Sequence, residues 1–186
     1  MDKKQLRIKL KETLSNLSKP SYEELSKQIS HQLYRDEDWN QANIIGITIS
    51  KFPEVDTYQI IRKAWEMGKT IAVPKCYPKE KKMSFRIISD FSQLESVFYG
   101  LLEPIEEKTK HINPENIDLI IVPGLGYTKE GYRLGFGGGY YDRYLKDYSG
   151  KTISLAFQSQ IIPAFKTENF DIPVAKIITD AKVMVV

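Results

Sequence analysis

The sequence predicts an α/β protein with a mainly parallel sheet covered on both faces by helices. Three observations predict it. Short, nearly continuous apolar runs at Ile44–Ile49, Leu119–Val122 and Thr152–Phe157 read as strands buried on both sides. Segments of helical periodicity alternate with them. A loop holding seven of the chain's 11 glycines, from Gly124 to Gly139, joins the central run to a following helix. At 186 residues, one domain spanning 1–186 is expected. The pattern leaves the strand order open.

Taken in order, Lys3 to Leu17 reads as an amphipathic helix, with Leu6, Leu10, Leu14 and Leu17 three or four residues apart. Lys3, Arg7 and Lys11 form a basic row at i, i+4, which by itself reads as a solvated face. Ser21-Tyr22-Glu23-Glu24 after Pro20 matches a capping box for a second helix ending near Tyr34. Asp36 to Asn43 is polar and reads as a connection. The Ile44–Ile49 strand follows. Glu54 lies just past its carboxyl end, where open α/β sheets bind ligands. Asp56 or Thr57 caps a third helix carrying Ile60, Ile61, Ala64 and Trp65, and Gly68 stops it.

Thr70–Val73 reads as a strand ended by Pro74, and Lys75–Lys82 as a basic loop with Lys75 its best-placed ligand candidate. Gly68-Lys69-Thr70 resembles the end of a P-loop only superficially, because Lys63 stands where its first glycine is required. Met83–Ile88 is a strand, Phe91–Tyr99 a short helix or turn, and 103–114 a proline-bounded connection. After the glycine loop, Tyr140, Tyr144 and Tyr148 share one helix face, with Tyr141 and Leu145 beside them. Thr152–Phe157 and Val174–Ile178 complete the strands, with Asp171 between them.

Glycine costs backbone entropy, so its clustering needs a reason. Close backbone approach to a ligand supplies one, and phosphate at a helix N-terminus is the expected ligand. Arg133 offers a fork for phosphate oxygens, and Asp142 a carboxylate for a bridging magnesium ion. The loop is not a dinucleotide fingerprint, because Tyr140 stands where the third glycine belongs. No lysine follows the glycines as a Walker A loop requires. His31, His111 and Cys76 form no nucleophile or zinc pattern. Chemistry here is expected to rest on positioning and electrostatics around phosphate and metal.

Composition sets outer bounds. A net charge of +3 suits an anionic small ligand and is too mild to argue for nucleic acid. One cysteine, no apolar signal core and no run near the roughly 18 apolar residues of a membrane span predict a cytoplasmic protein without membrane association.

The stretch PGLGYTKEGYRLGFGGGYYDRYL closely resembles the signature of the 5-formyltetrahydrofolate cyclo-ligase family, also called methenyltetrahydrofolate synthetase. Lys3-Lys4-Gln5-Leu6-Arg7, Phe52 to Thr57 and Val73-Pro74-Lys75 resemble further family elements in the same order, so the resemblance covers essentially the whole chain. It implies a single three-layer α/β/α domain that closes the ring of 5-formyltetrahydrofolate to 5,10-methenyltetrahydrofolate at the expense of MgATP. The formyl oxygen attacks the γ-phosphate, the folate's other amine attacks the activated carbon, and phosphate leaves, with ADP as the second product.

By the same resemblance, Lys3, Lys4, Gln5, Leu6 and Arg7 contact ATP, as do Arg133, Leu134, Gly135, Phe136, Gly137, Gly138, Gly139, Tyr140 and Tyr141. Ile49, Glu54, Tyr99 and the Phe136–Tyr140 segment contact folate, with Glu54 bonded to the pterin ring. Asp142 and Asp171 are the magnesium carboxylates, and Arg133, Tyr140 and Asp142 the catalytic set. Gly138 replaces a lysine of some members, which shifts work to Arg133 or Arg143. The expected partners are small-molecule substrates alone, on a monomer. A non-catalytic nucleotide- or folate-binding module of the same fold is the second reading. A sugar-phosphate isomerase or acyl-CoA transferase of related architecture is the third.

Overall fold

A computed structural model describes all 186 residues, Met1–Val186. Helix α1 (Lys3–Ser15) starts at Asp2, whose carboxylate accepts the Gln5 N–H at 2.7 Å while the Gln5 carboxamide accepts the Asp2 N–H at 3.1 Å. Helix α2 (Lys19–Tyr34) begins earlier than the Ser21 box predicts. Ser18 is its cap, accepting from the Ser21 N–H at 3.3 Å, and Pro20 sits in the first turn, where a missing N–H costs nothing. The expected polar connection contains helix α3 (Glu37–Gln41), because Trp39 within it is fully buried and Asp36 caps it.

Strand β1 (Ile44–Gly46), helix α4 (Tyr58–Glu66) and strand β2 (Thr70–Tyr77) form a parallel strand–helix–strand unit. Strand β2 runs past Pro74, where the sequence predicts its end, and pairs antiparallel with β3 (Lys82–Ile88). Strand β1 stops opposite Ala72, so the N–H that Pro74 lacks leaves no bond to β1 unmade. Half of the predicted Lys75–Lys82 loop is therefore strand, and residues 78–81 form the turn between β2 and β3. The 91–114 region also carries more order than expected: a hairpin of β4 (Leu94–Ser96) and β5 (Leu102–Pro104), then β6 (Lys110–Ile112) on the sheet edge.

Strand β7 (Leu119–Ile121) leads into the glycine loop, which folds on itself as a ribbon of β8 (Gly126–Tyr127) and β9 (Arg133–Leu134). Helix α5 (Tyr140–Leu145), strands β10 (Lys151–Ala156) and β11 (Lys176–Thr179), and an unpredicted β12 (Val183–Val185) follow. The strand order is β12-β11-β10-β7-β1-β2-β3-β6. The five central strands are parallel, and the antiparallel pairings lie at the two edges.

Side-chain alternation gives the sheet two cores. Ile45, Ile71, Leu119, Ile121 and Ile153 face α1 to α4. Ala72, Ile120, Val122 and Ile177 face the other way, toward α5. That second cover is thin: Tyr141, Tyr144 and Tyr148 share it, with Tyr144 stacked edge-on against Phe85 at 5.1 Å. Tyr140, predicted on their face, lies instead beside Arg143.

Gly46 is forced by packing. A Cβ there would stand 2.8 Å from the Phe85 ring and 3.3 Å from Ile120. Gly46→Ala is expected to cost about 1–3 kcal/mol through overpacking, read as a lower urea midpoint with unchanged slope.

Candidate functional site

Open α/β sheets expose the carboxyl ends of their parallel strands, and the loops leaving β1 and β7 meet there. The glycine loop is held from behind. Gln160, buried, donates to Leu125 O at 3.0 Å and accepts the Phe157 N–H at 2.8 Å. In front, Phe136 to Gly139 are exposed. No backbone N–H from Gly135 through Gly139 donates to a protein acceptor. Gly137 at φ +109° and Gly139 at φ +68° take conformations that side chains resist. The result is a rim of unpaired donors on a segment with almost no side-chain cover, the arrangement that receives an anion. Helix α5 is only six residues long, so these donors matter more than the helix dipole invoked from the sequence.

Arg133 differs from its expected role as an open fork. Its side chain is 3% exposed, and Nη2 donates to Asp142 Oδ1 at 2.6 Å. Its Nε is buried without a partner. Asp142 Oδ1 also accepts the Ile172 N–H at 3.0 Å, and Oδ2 stays unbonded. The neighbouring Asp171 accepts the Glu168 N–H at 2.8 Å and meets Lys3 Nζ at 3.4 Å, both through Oδ2, leaving Oδ1 unbonded. Each carboxylate thus keeps one free oxygen in the same corner of the molecule. No group of three or more His, Cys, Asp or Glu side chains converges anywhere. Two carboxylates without a protein cage fit magnesium, which keeps water and phosphate in most of its shell.

The basic row of α1 turns inward. Lys3 reaches Asp171, Arg7 Nε donates to Gly135 O at 2.8 Å, and Lys11 lines a cavity. Leu6 packs against the core. Lys4 and Gln5 are exposed, and Gln5 is occupied by the helix cap, so the five consecutive positions do not form one surface.

Two adjoining cavities open beside the loop. The larger, about 700 Å³, is lined by Lys11, Lys51, Phe52, Tyr99 and Gln160 among others. The smaller, about 260 Å³, is lined by Ile49, Cys76, Glu103, Arg133, Tyr140 and Asp142 among others. Thr48, Glu54, Leu101, Pro123 and Phe136 line both. Gly138, Gly139 and Tyr141 also border the smaller one. The Tyr141 hydroxyl is buried without a partner, and Leu134 lies in the core behind the loop.

Glu54 accepts the Lys51 N–H at 2.7 Å, and its carbonyl accepts the Tyr22 hydroxyl at 2.8 Å. Burial pushes its carboxyl above the ordinary glutamate range, with Lys51 partly offsetting the effect. Tyr99 is 88% exposed with φ 58°, at the mouth of the larger cavity, and its carbonyl accepts from the Lys51 ammonium. Lys75 is not free for a ligand: its ammonium lies 3.8 Å from Glu103 and 3.9 Å from Glu95.

Glu103, Cys76 and Gln160 line this site without any signal read from the sequence. The alternation of Pro74 and Cys76 along β2 places both on the smaller cavity, a pattern hidden by ending the strand at Pro74. Burial and the nearby Glu103 push the Cys76 thiol up to about 12, so it is no nucleophile at neutral pH. Arg133→Ala would leave Asp142 without its partner and open a void behind the loop. A stability loss of about 2–4 kcal/mol is expected, in place of an effect confined to ligand binding. Chemical denaturation of the purified variant checks this.

A sequence profile of the 5-formyltetrahydrofolate cyclo-ligase family matches residues 1–180. The chain is 29% identical to the 5-formyltetrahydrofolate cyclo-ligase of Mus musculus, covering 95% of this chain and 92% of that protein. It is 26% identical to the enzyme of that name from Haemophilus influenzae, over 95% of this chain and 96% of that one. The NMR structure of Aquifex aeolicus 5,10-methenyltetrahydrofolate synthetase superposes with a TM-score of 0.87 at 30% identity, covering all of this chain and 93% of that one. By sequence across nearly its whole length and by the shape of its sheet, the chain is an enzyme of the 5-formyltetrahydrofolate cyclo-ligase family.

Proposed function

We propose that residues 1–186 act as one domain that converts 5-formyltetrahydrofolate to 5,10-methenyltetrahydrofolate, using ATP and Mg²⁺ and releasing ADP and phosphate. The observation that carries this reading is the rim of unpaired N–H groups from Gly135 to Gly139, set between the α1 basic row and a cavity shared with Glu54.

The chemistry needs two reactants aligned rather than a protein nucleophile. The smaller cavity, at about 260 Å³, suits a bicyclic pterin with its formyl group. Glu54 accepts from the pterin's N–H groups, and Ile49 and Tyr140 give apolar walls. On the loop side, the glycine N–H groups with Lys3 and Arg7 hold the phosphates. Magnesium would be held by the free oxygens of Asp142 and Asp171, and there it would neutralise charge on the transferring phosphoryl group. Arg133 holds Asp142 in place for that role. The wall the two cavities share at Phe136 and Glu54 supports this reading, since it lets the formyl oxygen and the γ-phosphate meet beside one backbone segment.

The near-ultraviolet absorbance of the methenyl product is expected only when enzyme, Mg²⁺, ATP and 5-formyltetrahydrofolate are all present. Binding of both ligands without ADP release would favour a non-catalytic module, and turnover without ATP would sink the proposal. A second outcome follows from Glu54. Its raised pKa means the folded chain holds that proton more tightly than the unfolded one. The stability this brings is present at acid pH and is lost as pH rises through the folded value. Glu54→Gln is therefore expected to raise the thermal midpoint at pH 7 and to lose that advantage near pH 4. The same change should weaken folate binding at pH 7 and remove its acid-side decline, since glutamine does not titrate.

A further inference from the structure

We infer that Arg143 is a further phosphate-binding and positioning residue of this site, holding the glycine loop in place and presenting a free N–H pair to the nucleotide's phosphates. The inference rests on the reading that the glycine loop receives those phosphates.

Arg143 lies on α5, and three contacts immobilise its guanidinium. Nη2 donates to Gly138 O at 2.7 Å, Nε donates to Lys81 O at 2.8 Å, and the group lies 5.3 Å from the centre of the Tyr140 ring. Nη1 makes no protein hydrogen bond. It occupies space that only glycine leaves open, because a Cβ on Gly139 would stand 2.8 Å from it. Exposed arginines ordinarily keep their rotamer freedom, so this ordering needs a function.

Charge adds to the case for Arg143. Two of the cations around the loop are neutralised, Arg133 by Asp142 and Lys3 by Asp171, while Arg7 bonds Gly135 O and forms no ion pair. Arg143 forms no ion pair and bonds only carbonyl oxygens. Its positive charge therefore stays uncompensated, beside five consecutive N–H groups that are also without acceptors. A polyphosphate is the ligand whose charge and oxygen count match that pair of features. The Lys81 contact adds a mechanical element. Lys81 stands in the turn between β2 and β3, so one guanidinium ties that hairpin to the glycine loop. A planar fork can keep both carbonyls and still offer Nη1, whereas an ammonium cannot do so in the same geometry.

The test compares wild type, Arg143→Ala, Arg143→Gln and Arg143→Lys. Inorganic tripolyphosphate and ADP are titrated calorimetrically, 5-formyltetrahydrofolate is titrated without nucleotide, and thermal midpoints are recorded. Arg143→Ala and Arg143→Gln are expected to weaken tripolyphosphate and ADP about tenfold or more, as for loss of a charge-assisted bond. Arg143→Lys should recover part of that loss. Folate affinity should stay within about twofold. Tripolyphosphate affinity within twofold of wild type in the Ala and Gln variants would overturn the inference. So would parallel loss of folate affinity and thermal midpoint, the mark of a merely structural clamp. If wild type forms no methenyl product from ATP, the reaction reading fails, while the tripolyphosphate comparison still decides the role of Arg143.

Discussion

A guanidinium sealed from water has to be neutralised where it stands, and Asp142 does this for Arg133 at 2.6 Å. Much of the site hangs on that contact. Arg133 belongs to the ribbon strand before the glycines, and Asp142 to the short helix after them. Closing the pair therefore closes the loop between. The same carboxylate oxygen accepts the Ile172 N–H, which draws in the segment carrying Asp171. One ion pair thus sets the distance between the glycine loop and both candidate metal carboxylates. Arg133 is so enclosed that what it does for this corner is hold its partner in place.

The loop between these anchors is unusual in having little of its own to hold it. From Gly135 to Gly139 its N–H groups lack acceptors, two of its glycines have positive φ, and only Arg7 and Arg143 grip its carbonyls. Such a segment is costly to order, and a ligand that satisfies the free donors would complete it. The cavities on its inner side share a wall, so a molecule in one touches groups that face the other.

Much of the architecture was legible in the sequence because parallel strands buried on both faces leave continuous apolar runs, as at Leu119–Ile121 and Lys151–Ala156. The glycine loop was legible as well, since glycine clustering has few other causes. What escaped had specific physical reasons. Trp39 nucleates α3 inside a polar stretch, where one large side chain outweighs the local composition. Pro74 ends a strand in most contexts, but here it falls where its neighbour has already stopped. The inward turn of Lys3 and Arg7 could not be separated from a solvated stripe until the Gly135 and Asp171 partners, more than 120 residues away, were placed. Glu103 and Gln160 reach the site through tertiary packing alone, and no local pattern marks them.

The contact between Lys3 and Asp171 joins the first helical residue to one lying 168 positions later. Asp142 likewise waits for the backbone of Ile172. On the ribosome, strands β1, β2, β7 and β10 and the glycine loop emerge before these closing partners. A chain lacking residues from 171 onward would keep the Gln160 contacts behind the loop but lose the Lys3–Asp171 pair and the Ile172 N–H that Asp142 accepts. Assembly of this corner is thereby tied to a segment that follows the glycine loop by some thirty residues.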